Sequence, residues 1–529
     1  MKNRKQKVAA PKPEKLRRLS PWRVMVGIFI LAALGSGAFF GLKEWKATRS
    51  LASHEPWFAA YVDVTATPTF AFEQMDASTS NDAILSFIVS SPTEPCMPTW
   101  GGAYTPDQAR GALDLDRRIA RLQQQGGSVA ISFGGLKNKE LAVGCTDQTK
   151  LRAAYQSVID RYNINTIDLD LENTGLTDTE AGGRRAEVVA KLQSERRAKG
   201  SHLAVWLTLP VSPQGLTESG TTAVSQLLRK GVDLAGINVM TMDYGQSLVK
   251  GQDMLSGSES ALTQTKRQLG ILYQQAGTHL NDATLWSKLG ATPMIGQNDV
   301  EDEVFTLDNA KGLNRFAHAR GLSRMSMWSA NRDLTCSDNY VNLKIVSSSC
   351  SGVDQEKQAF AMLLSAGFKG DLTLSAGLVT SAEPASAAKQ KADDPATSPY
   401  PIWSASNAYL EGAKVVWHHN VYQAKWWTQG EVPDSPVLQS WQTPWELVGP
   451  VLPDEKPIPQ PTLPPGTYPK WSGTATYNTG QRILFNGIPY QAKWWNKAES
   501  PAAASSNSES SPWVPLTQAQ INALKAEKE

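Results

Sequence analysis

Cysteine is scarce in this chain, with four among 529 residues, and none sits in a CxxC pair or at the Cys/His spacing of a zinc site. An excess of one charge is also missing: 52 Lys and Arg stand against 50 Asp and Glu, a formal net charge of +2. Outside the N-terminus there is no basic field of the size that nucleic acid requires, so nucleic acid is not expected as a partner. No Gly-rich phosphate loop follows the first candidate strand, which speaks against a doubly wound dinucleotide-binding sheet. A D-x-D-x-E run is present, but a calcium loop starting at Asp168 needs Gly at its sixth position and Glu at its twelfth, where the chain has Asn173 and Thr179. Neither a metal nor a cofactor is expected.

The even cysteine count suits disulfides in an exported domain. Cys96 with Cys145 and Cys336 with Cys350 are the expected pairs, although four cysteines allow three pairings. Residues 1–23 carry nine Lys or Arg against the single acid Glu14. The uncharged, mostly apolar run 24–42 then reaches roughly the thickness of a bilayer core at about 1.5 Å per residue. The positive-inside rule puts residues 1–23 in the cytoplasm and everything past Lys43 outside, anchored to the membrane by this helix. Secretion after cleavage of a signal peptide is the alternative.

The most informative stretch is 164–173, in which apolar residues alternate with Asp168, Asp170 and Glu172. Period-two alternation marks a β-strand, so the three carboxylates share one face while the leucines and isoleucines pack on the other. Close like charges raise one another's pKa, so a row of acids in an apolar context needs a task. Strand-like segments recur at 57–64, 84–90, 128–133, 166–172, 203–209, 236–242, 288–295 and 324–328. Helical periodicity appears at 150–162, 183–199, 221–231, 264–276, 309–321 and 355–366. Eight strands alternating with helices predict a (β/α)8 barrel over 55–378, an α/β fold whose site lies at the C-terminal strand ends. Glu172 closes the fourth strand, and Tyr61, Asp243, Tyr244, Gln297 and Trp328 fall at the same end of others.

Of the 17 Trp, most lie in the last 130 residues. After a linker at 379–399, rich in Ala, Ser, Lys, Asp and Pro, the chain repeats itself. Trp403, Tyr409, Gly412, Trp417, Tyr422-Gln423-Ala424-Lys425-Trp426-Trp427, Pro433 and Trp445 are answered 68 residues later by Trp471, Tyr477, Gly480, Phe485, Tyr490-Gln491-Ala492-Lys493-Trp494-Trp495, Pro501 and Trp513. Two small all-β modules, 400–449 and 468–517, are therefore expected, separated by a Pro-rich linker at 450–467. Neither is long enough to bury a large core. Adjacent strand residues face opposite ways, so one Trp of each pair is expected to pin the core and the other to stay exposed.

Residues 164–172 resemble the fourth-strand signature DGxDxDxE of glycoside hydrolase family 18, the chitinases. Ser132 to Gly135 look like that family's third-strand SxGG, Asp243 lies in a Met-rich sixth-strand segment, and Trp328 fits the Trp that ends the eighth strand. The chain departs from the pattern at Asn165 and Thr166, and at Met242, where many members have a Tyr before the Asp. The block Tyr-Gln-Ala-Lys-Trp-Trp resembles the chitin-binding modules of carbohydrate-binding families 5 and 12.

The resemblance implies a monomeric chitinase acting on chitin and chitooligosaccharides by substrate-assisted, retaining catalysis. Glu172 would be the acid and then the base, Asp170 would raise its pKa and orient the acetamido group, and Asp168 would share a proton with Asp170. Asp243, Tyr244, Gln297, Trp328 and Tyr61 would bind substrate, with Tyr244 or Gln297 standing in for the missing Tyr hydroxyl. Trp426 or Trp427 and Trp494 or Trp495 would stack on sugar, partnered by Tyr409 and Tyr477. The short connection between strands seven and eight predicts an open cleft and internal cutting. The alternatives are a non-catalytic chitin-binding or adhesion protein, and an endo-glucosaminidase acting on glycoprotein or peptidoglycan.

Overall fold

The computed structural model describes residues 55–522 apart from 76–80, 250, 341, 373–391, 396, 453–454, 457–461, 502–510 and 517–519. The expected basic tail at 1–23 and membrane span at 24–42 lie outside the described residues, as does most of the linker at 379–399. Among the described residues no helix is long and apolar enough to cross a membrane.

The first barrel strand is written in two pieces, β1 (Trp57–Phe58) and β2 (Ala60–Asp63), followed by β3 (Ala83–Ser90) with its antiparallel partner β4 (Pro98–Trp100). The chain continues through β5 (Val129–Gly134), β6 (Thr166–Asp170), β7 (Ala204–Ser212), the short return strand β8 (Gly215–Leu216) and β9 (Leu234–Met240). Then come β10 (Leu289–Thr292), the hairpin of β11 (Gly296–Gln297) and β12 (Val304–Phe305), and β13 (Arg324–Met325). The main sheet runs β1-β13-β10-β9-β7-β6-β5-β3-β2, so it begins and ends on the first strand and closes an eight-staved parallel barrel.

The helices that return the chain start where a side chain accepts an orphan amide of the first turn. Asp147 caps Gln148–Arg161, Asp178 caps Thr179–Ala198, Thr217 caps Glu218–Arg229, Asp253 caps Met254–Gln275 and Thr306 caps Leu307–Arg320. Helices Pro106–Ala112 and Leu115–Gln124 were not expected. Their signals were present in the Thr105-Pro106 start and in the buried Leu115, Ile119 and Leu122 at helical spacing. The helix expected at 355–366 spans only Phe360–Ser365. Its start is set by Asp333, whose carboxylate accepts from the amides of Phe360 (2.8 Å) and Ala361 (2.9 Å). Gln355 is held instead in the preceding loop by Ser351 and Asp333.

Apolar side chains on the outer strand face pack against the helices, while a separate cluster of Trp57, Ala59, Tyr61, Ile84, Ala130, Ala204, Trp206, Ala235 and Leu372 fills the barrel interior. The N-terminal end is plugged by the returning chain, where Thr166 Oγ1 donates to the carbonyl of Leu372 (3.0 Å). Both expected disulfides form, Cys96–Cys145 and Cys336–Cys350. The second closes a loop of 14 residues after the eighth strand, a constraint worth about 3 kcal/mol on chain-entropy grounds.

The repeat is also structural. Residues β14 (Ala408–Tyr409), β15 (Lys414–Trp417), β16 (Asn420–Ala424), β17 (Thr428–Gln429) and β18 (Trp445–Pro450) form a two-stranded and a three-stranded sheet. Strands β19 (Thr476–Tyr477), β20 (Arg482–Phe485), β21 (Ile488–Ala492), β22 (Asn496–Lys497) and β23 (Trp513–Pro515) pair in the same pattern. Each core is a handful of residues around one edge-to-face pair, Tyr409 on Trp445 and Tyr477 on Trp513.

Candidate active site

The alternation along β6 aims Asp168 and Asp170 into the barrel, both buried. Gly134 in β5 sits opposite Asp170 in the ladder, and its backbone, at φ +115°, passes so close that a Cβ there would lie 2.0 Å from the carbonyl oxygen of Asp170. This position therefore requires glycine. The strand ends at Asp170, and Glu172 follows in extended conformation as the residue before the short helix Asn173–Thr177. That turn is fixed from behind by Arg185, which donates to Gly175 O (2.9 Å) and to buried Glu140 (2.9 Å).

Asp168 is the most tightly held member of the row. Its Oδ2 accepts from Tyr61 OH and Ser132 Oγ, both at 2.8 Å, and its Oδ1 accepts from Thr208 Oγ1 and Arg324 Nη1, both at 2.7 Å. Four donors thus fix the orientation of the Asp168 carboxyl in the barrel wall. Arg324 is itself buried among Trp57, Tyr61 and Trp206, with ring centroids 5.1 to 5.6 Å from its guanidinium carbon. Such a cage favours the planar, weakly hydrated Arg over Lys. Beside it Asn238 donates to Thr208 (3.0 Å) and Thr292 (2.8 Å), completing a polar layer across the barrel.

Asp170 is different. Its Oδ1 is buried without a hydrogen-bond partner among the described residues. Burial pushes its pKa well above the usual carboxylate range, Glu172 and Asp168 push it further, and Arg324 opposes them. Burial and its acidic neighbours therefore favour the protonated form of Asp170. Glu172, nearer the mouth, is pushed up to about 7, first by burial and then by the charges of Asp243 and Asp299. The sequence assigned that effect to Asp170. A protonated Asp170 carries little charge, so the two outer acids take its place.

Asp243 is held at φ +50° after β9, with Oδ1 accepting from the amides of Asp299 (2.8 Å) and Val300 (3.3 Å). Its pKa is pushed up to about 6, chiefly by burial. Trp328 is half-buried and stacks on Phe87 with centroids 5.5 Å apart, with Tyr61 edge-on to it at 6.1 Å. Three expected substrate contacts fall elsewhere. Tyr61 is buried beneath this aromatic floor as a donor to Asp168. Tyr244 points away, its hydroxyl bonded to Ser258 of helix Met254–Gln275 (3.2 Å). Gln297 uses its amide nitrogen on the carbonyls of Asn298 (3.0 Å) and Glu301 (2.9 Å), pinning the hairpin of β11 and β12. Neither Tyr244 nor Gln297 supplies the hydroxyl missing at Met242. Phe87 and Arg324 were overlooked. A lone Arg opening an otherwise apolar eighth strand was the available signal that the acid row has a cationic partner.

In the modules the adjacent tryptophans do not divide their work as expected. Trp426 and Trp427 are 42 % and 58 % exposed, and Trp494 and Trp495 are 43 % and 59 %. Strands β16 and β21 stop at Ala424 and Ala492, so strand alternation does not govern the pairs and both rings face outward. The small cores are pinned instead by Tyr409 and Tyr477, which are buried with their hydroxyls donating to Ser404 O (3.3 Å) and Ser472 O (3.2 Å). These tyrosines are therefore not sugar platforms.

Residues 470–514 match the family model of carbohydrate-binding module family 5/12. Over 321 residues the chain is 34% identical to a probable bifunctional chitinase/lysozyme of Escherichia coli, covering 60% of this chain and 34% of that protein. It is 32% identical over 320 residues to endochitinase 11 of Metarhizium anisopliae, covering 60% of this chain and 58% of the relative. The chain thus spans between a third and six tenths of the length of these curated relatives. The catalytic domain of a hyperthermophilic chitinase from Pyrococcus furiosus aligns at 26% identity over 59% of this chain and 94% of that one, with a TM-score of 0.49. The chain thus combines a closed parallel barrel, with an acid row at its mouth, and a carbohydrate-binding module. Over the barrel the chain is similar to these chitinases.

Proposed function

We propose that the protein hydrolyses β-1,4 bonds between N-acetylglucosamine units of chitin, cutting within the polymer and retaining anomeric configuration. The observation that carries this reading is the partnerless buried Oδ1 of Asp170 directly below a Glu172 that is half-protonated near neutral pH. A protonated Asp170 still offers one acceptor oxygen, which suits an acetamido N–H, and a buried acceptor left unmatched is costly. Glu172 gives its proton to the glycosidic oxygen as the bond to the anomeric carbon breaks. The acetamido carbonyl oxygen closes onto that carbon from the opposite face, forming a cyclic cation that buried negative charge stabilises. The Glu172 carboxylate then takes a proton from water, whose oxygen reopens the ring. Two inversions restore the starting configuration.

Trp328 on Phe87 offers an apolar floor for the sugar ring. The connection between the seventh and eighth strands holds only the hairpin of β11 and β12 and helix Leu307–Arg320, and this supports an open cleft and internal cutting. The exposed Trp pairs at 426–427 and 494–495 support two chitin-binding modules, whose combined avidity on a repetitive polymer exceeds that of either alone. Two disulfides support an extracytoplasmic location, with 24–42 as a membrane anchor or a cleaved signal. The test is to incubate residues 51–529 with colloidal chitin and follow new reducing ends by NMR. Soluble oligomers of mixed length with β-anomers first are expected. No release, or α-anomers first, would overturn the reading.

The acid limb of this chemistry has a pH signature. Asp243→Asn removes a negative charge that raises Glu172, so the Glu172 pKa falls and the alkaline limb of kcat/KM moves to lower pH. A limb that stays in place while activity persists would mean that the charge of Asp243 does not help to hold the proton, leaving burial and Asp299.

A further inference from the structure

The two modules differ in one loop. Between the exposed Trp pair and the next buried Trp, the first module reads Val437-Leu438-Gln439-Ser440-Trp441, and the second, at the same offset, Ser505-Ser506-Asn507-Ser508-Glu509. In the first module this loop lies on the barrel. Leu438 packs against the barrel's main apolar core. Gln439 is buried and its Nε2 donates to the carbonyl of Leu216 (3.0 Å). From helix Met254–Gln275, Gln268 Nε2 donates to Leu438 O (2.9 Å) and Arg267 Nη2 to the same oxygen (3.1 Å), with Arg267 Nη1 reaching Val437 O. Gln268, fully buried, also clasps the backbone of Leu216, its Oε1 accepting from Leu216 N (2.8 Å) and its Nε2 donating to Leu216 O (3.0 Å). Leu216 belongs to β8, which folds back on Val211 at the C-terminal end of β7. Asp170 pairs with Thr208 three residues earlier, so the contact lies at the active-site end of the barrel.

Two residues past Gln439, Trp441 is 58 % exposed on a short 3-10 turn. It adjoins the Trp pair through Lys425, which donates to Ser440 O and sits 4.7 Å above the ring of Trp426. Trp441 therefore lies between the exposed rings of the module and the contact with the barrel. We infer that the first module is a fixed extension of the catalytic domain rather than a tethered anchor. Trp441 is a sugar-stacking residue that continues the module's aromatic surface toward the barrel rim, and it takes a β-1,4-linked N-acetylglucosamine chain already held in the cleft. The second module, with Glu509 at that position, serves only as the tether. A loop that buries a Leu and a Gln against another domain is stabilised by both burial and hydrogen bonding, and the aligned sequence 505–509 of the second module has neither residue.

The inference rests on the proposed chitinase activity, so the experiment separates the two. Full-length Trp441→Ala and a docking variant, Leu438→Ser with Gln439→Ala, are assayed on the soluble tetramer of N-acetylglucosamine and on a long, soluble, partially acetylated chitosan. Unchanged tetramer turnover with KM on the polymer raised about fivefold or more in both variants is the expected result; that shift corresponds to about 1 kcal/mol, the range of one aromatic stacking contact. Small-angle scattering should also show the docking variant, but not Trp441→Ala, with a larger radius of gyration than the parent. Polymer KM unchanged in both variants, with the tetramer still cleaved, overturns the inference while leaving the chitinase reading intact. No cleavage of either substrate by the parent would instead sink that reading.

Discussion

Glu172→Gln lowers kcat on soluble chitin oligomers by about 10²–10⁴-fold, the range that a positioned general acid contributes. The amide has the shape of the acid and can still donate a hydrogen bond to the glycosidic oxygen, but it cannot transfer a proton, so KM changes little. Transition-state stabilisation alone is removed, and kcat and kcat/KM fall together. The parent's alkaline limb should lie near the value of about 7 to which Glu172 is raised, and the variant's residual rate should lack it. Initial-rate kinetics on the tetramer across pH 4–10, with oligomer binding measured by calorimetry, check both points. Equal rates in parent and variant would remove Glu172 from the proton-donor role and with it the assignment of the acid row.

The acid row was legible because a strand has an integral side-chain period. Once the apolar alternation over 164–172 was recognised, the shared face of Asp168, Asp170 and Glu172 followed without knowledge of any other element. All eight barrel strands were legible for the same reason, with ends displaced by a few residues. Strand β13 is the extreme case, where two ladder residues were read as five, because beyond Met325 the chain stays paired only through single backbone hydrogen bonds and an isolated bridge from Trp328 to Met294. What the sequence could not show was which polar side chains meet across the barrel. Arg324 lies 156 positions from Asp168, and Tyr61 lies 107 away. Their contacts depend on closure of the sheet, and no local pattern encodes that. The same blindness misplaced Tyr244 and Gln297. Both stand at the correct strand ends, but each found a nearer partner in Ser258 and in the carbonyls of its own hairpin. In the modules the error ran the other way. Period two was extended beyond the last ladder residue, where the chain turns and both tryptophans face out.

The charge pair at the centre of the barrel gives the largest expected effect on stability. Arg324 and Asp168 are each about 1% exposed in their side chains and 2.7 Å apart, so removing one leaves the other as an uncompensated charge in a medium that solvates it poorly. Arg324→Ala should destabilise the barrel by about 3–5 kcal/mol, whereas a variant lacking both charges, Arg324→Met with Asp168→Asn, should lose less than the two single changes together. The intact pair is then seen as a device that fixes the row more than as a source of stability. It fixes Asp168 in place, and Asp168 in turn helps to push up the pKa of Asp170 beneath the acid that catalysis uses. The double variant should therefore recover stability without recovering turnover. Urea unfolding followed by the fluorescence of Trp57 and Trp206, whose rings enclose Arg324, reads the first quantity, and tetramer hydrolysis reads the second. A loss in the double variant equal to the sum of the losses in Arg324→Met and Asp168→Asn alone would show that the pair is not coupled. Full turnover in the double variant would show that the charge on Asp168 plays no part in placing the proton.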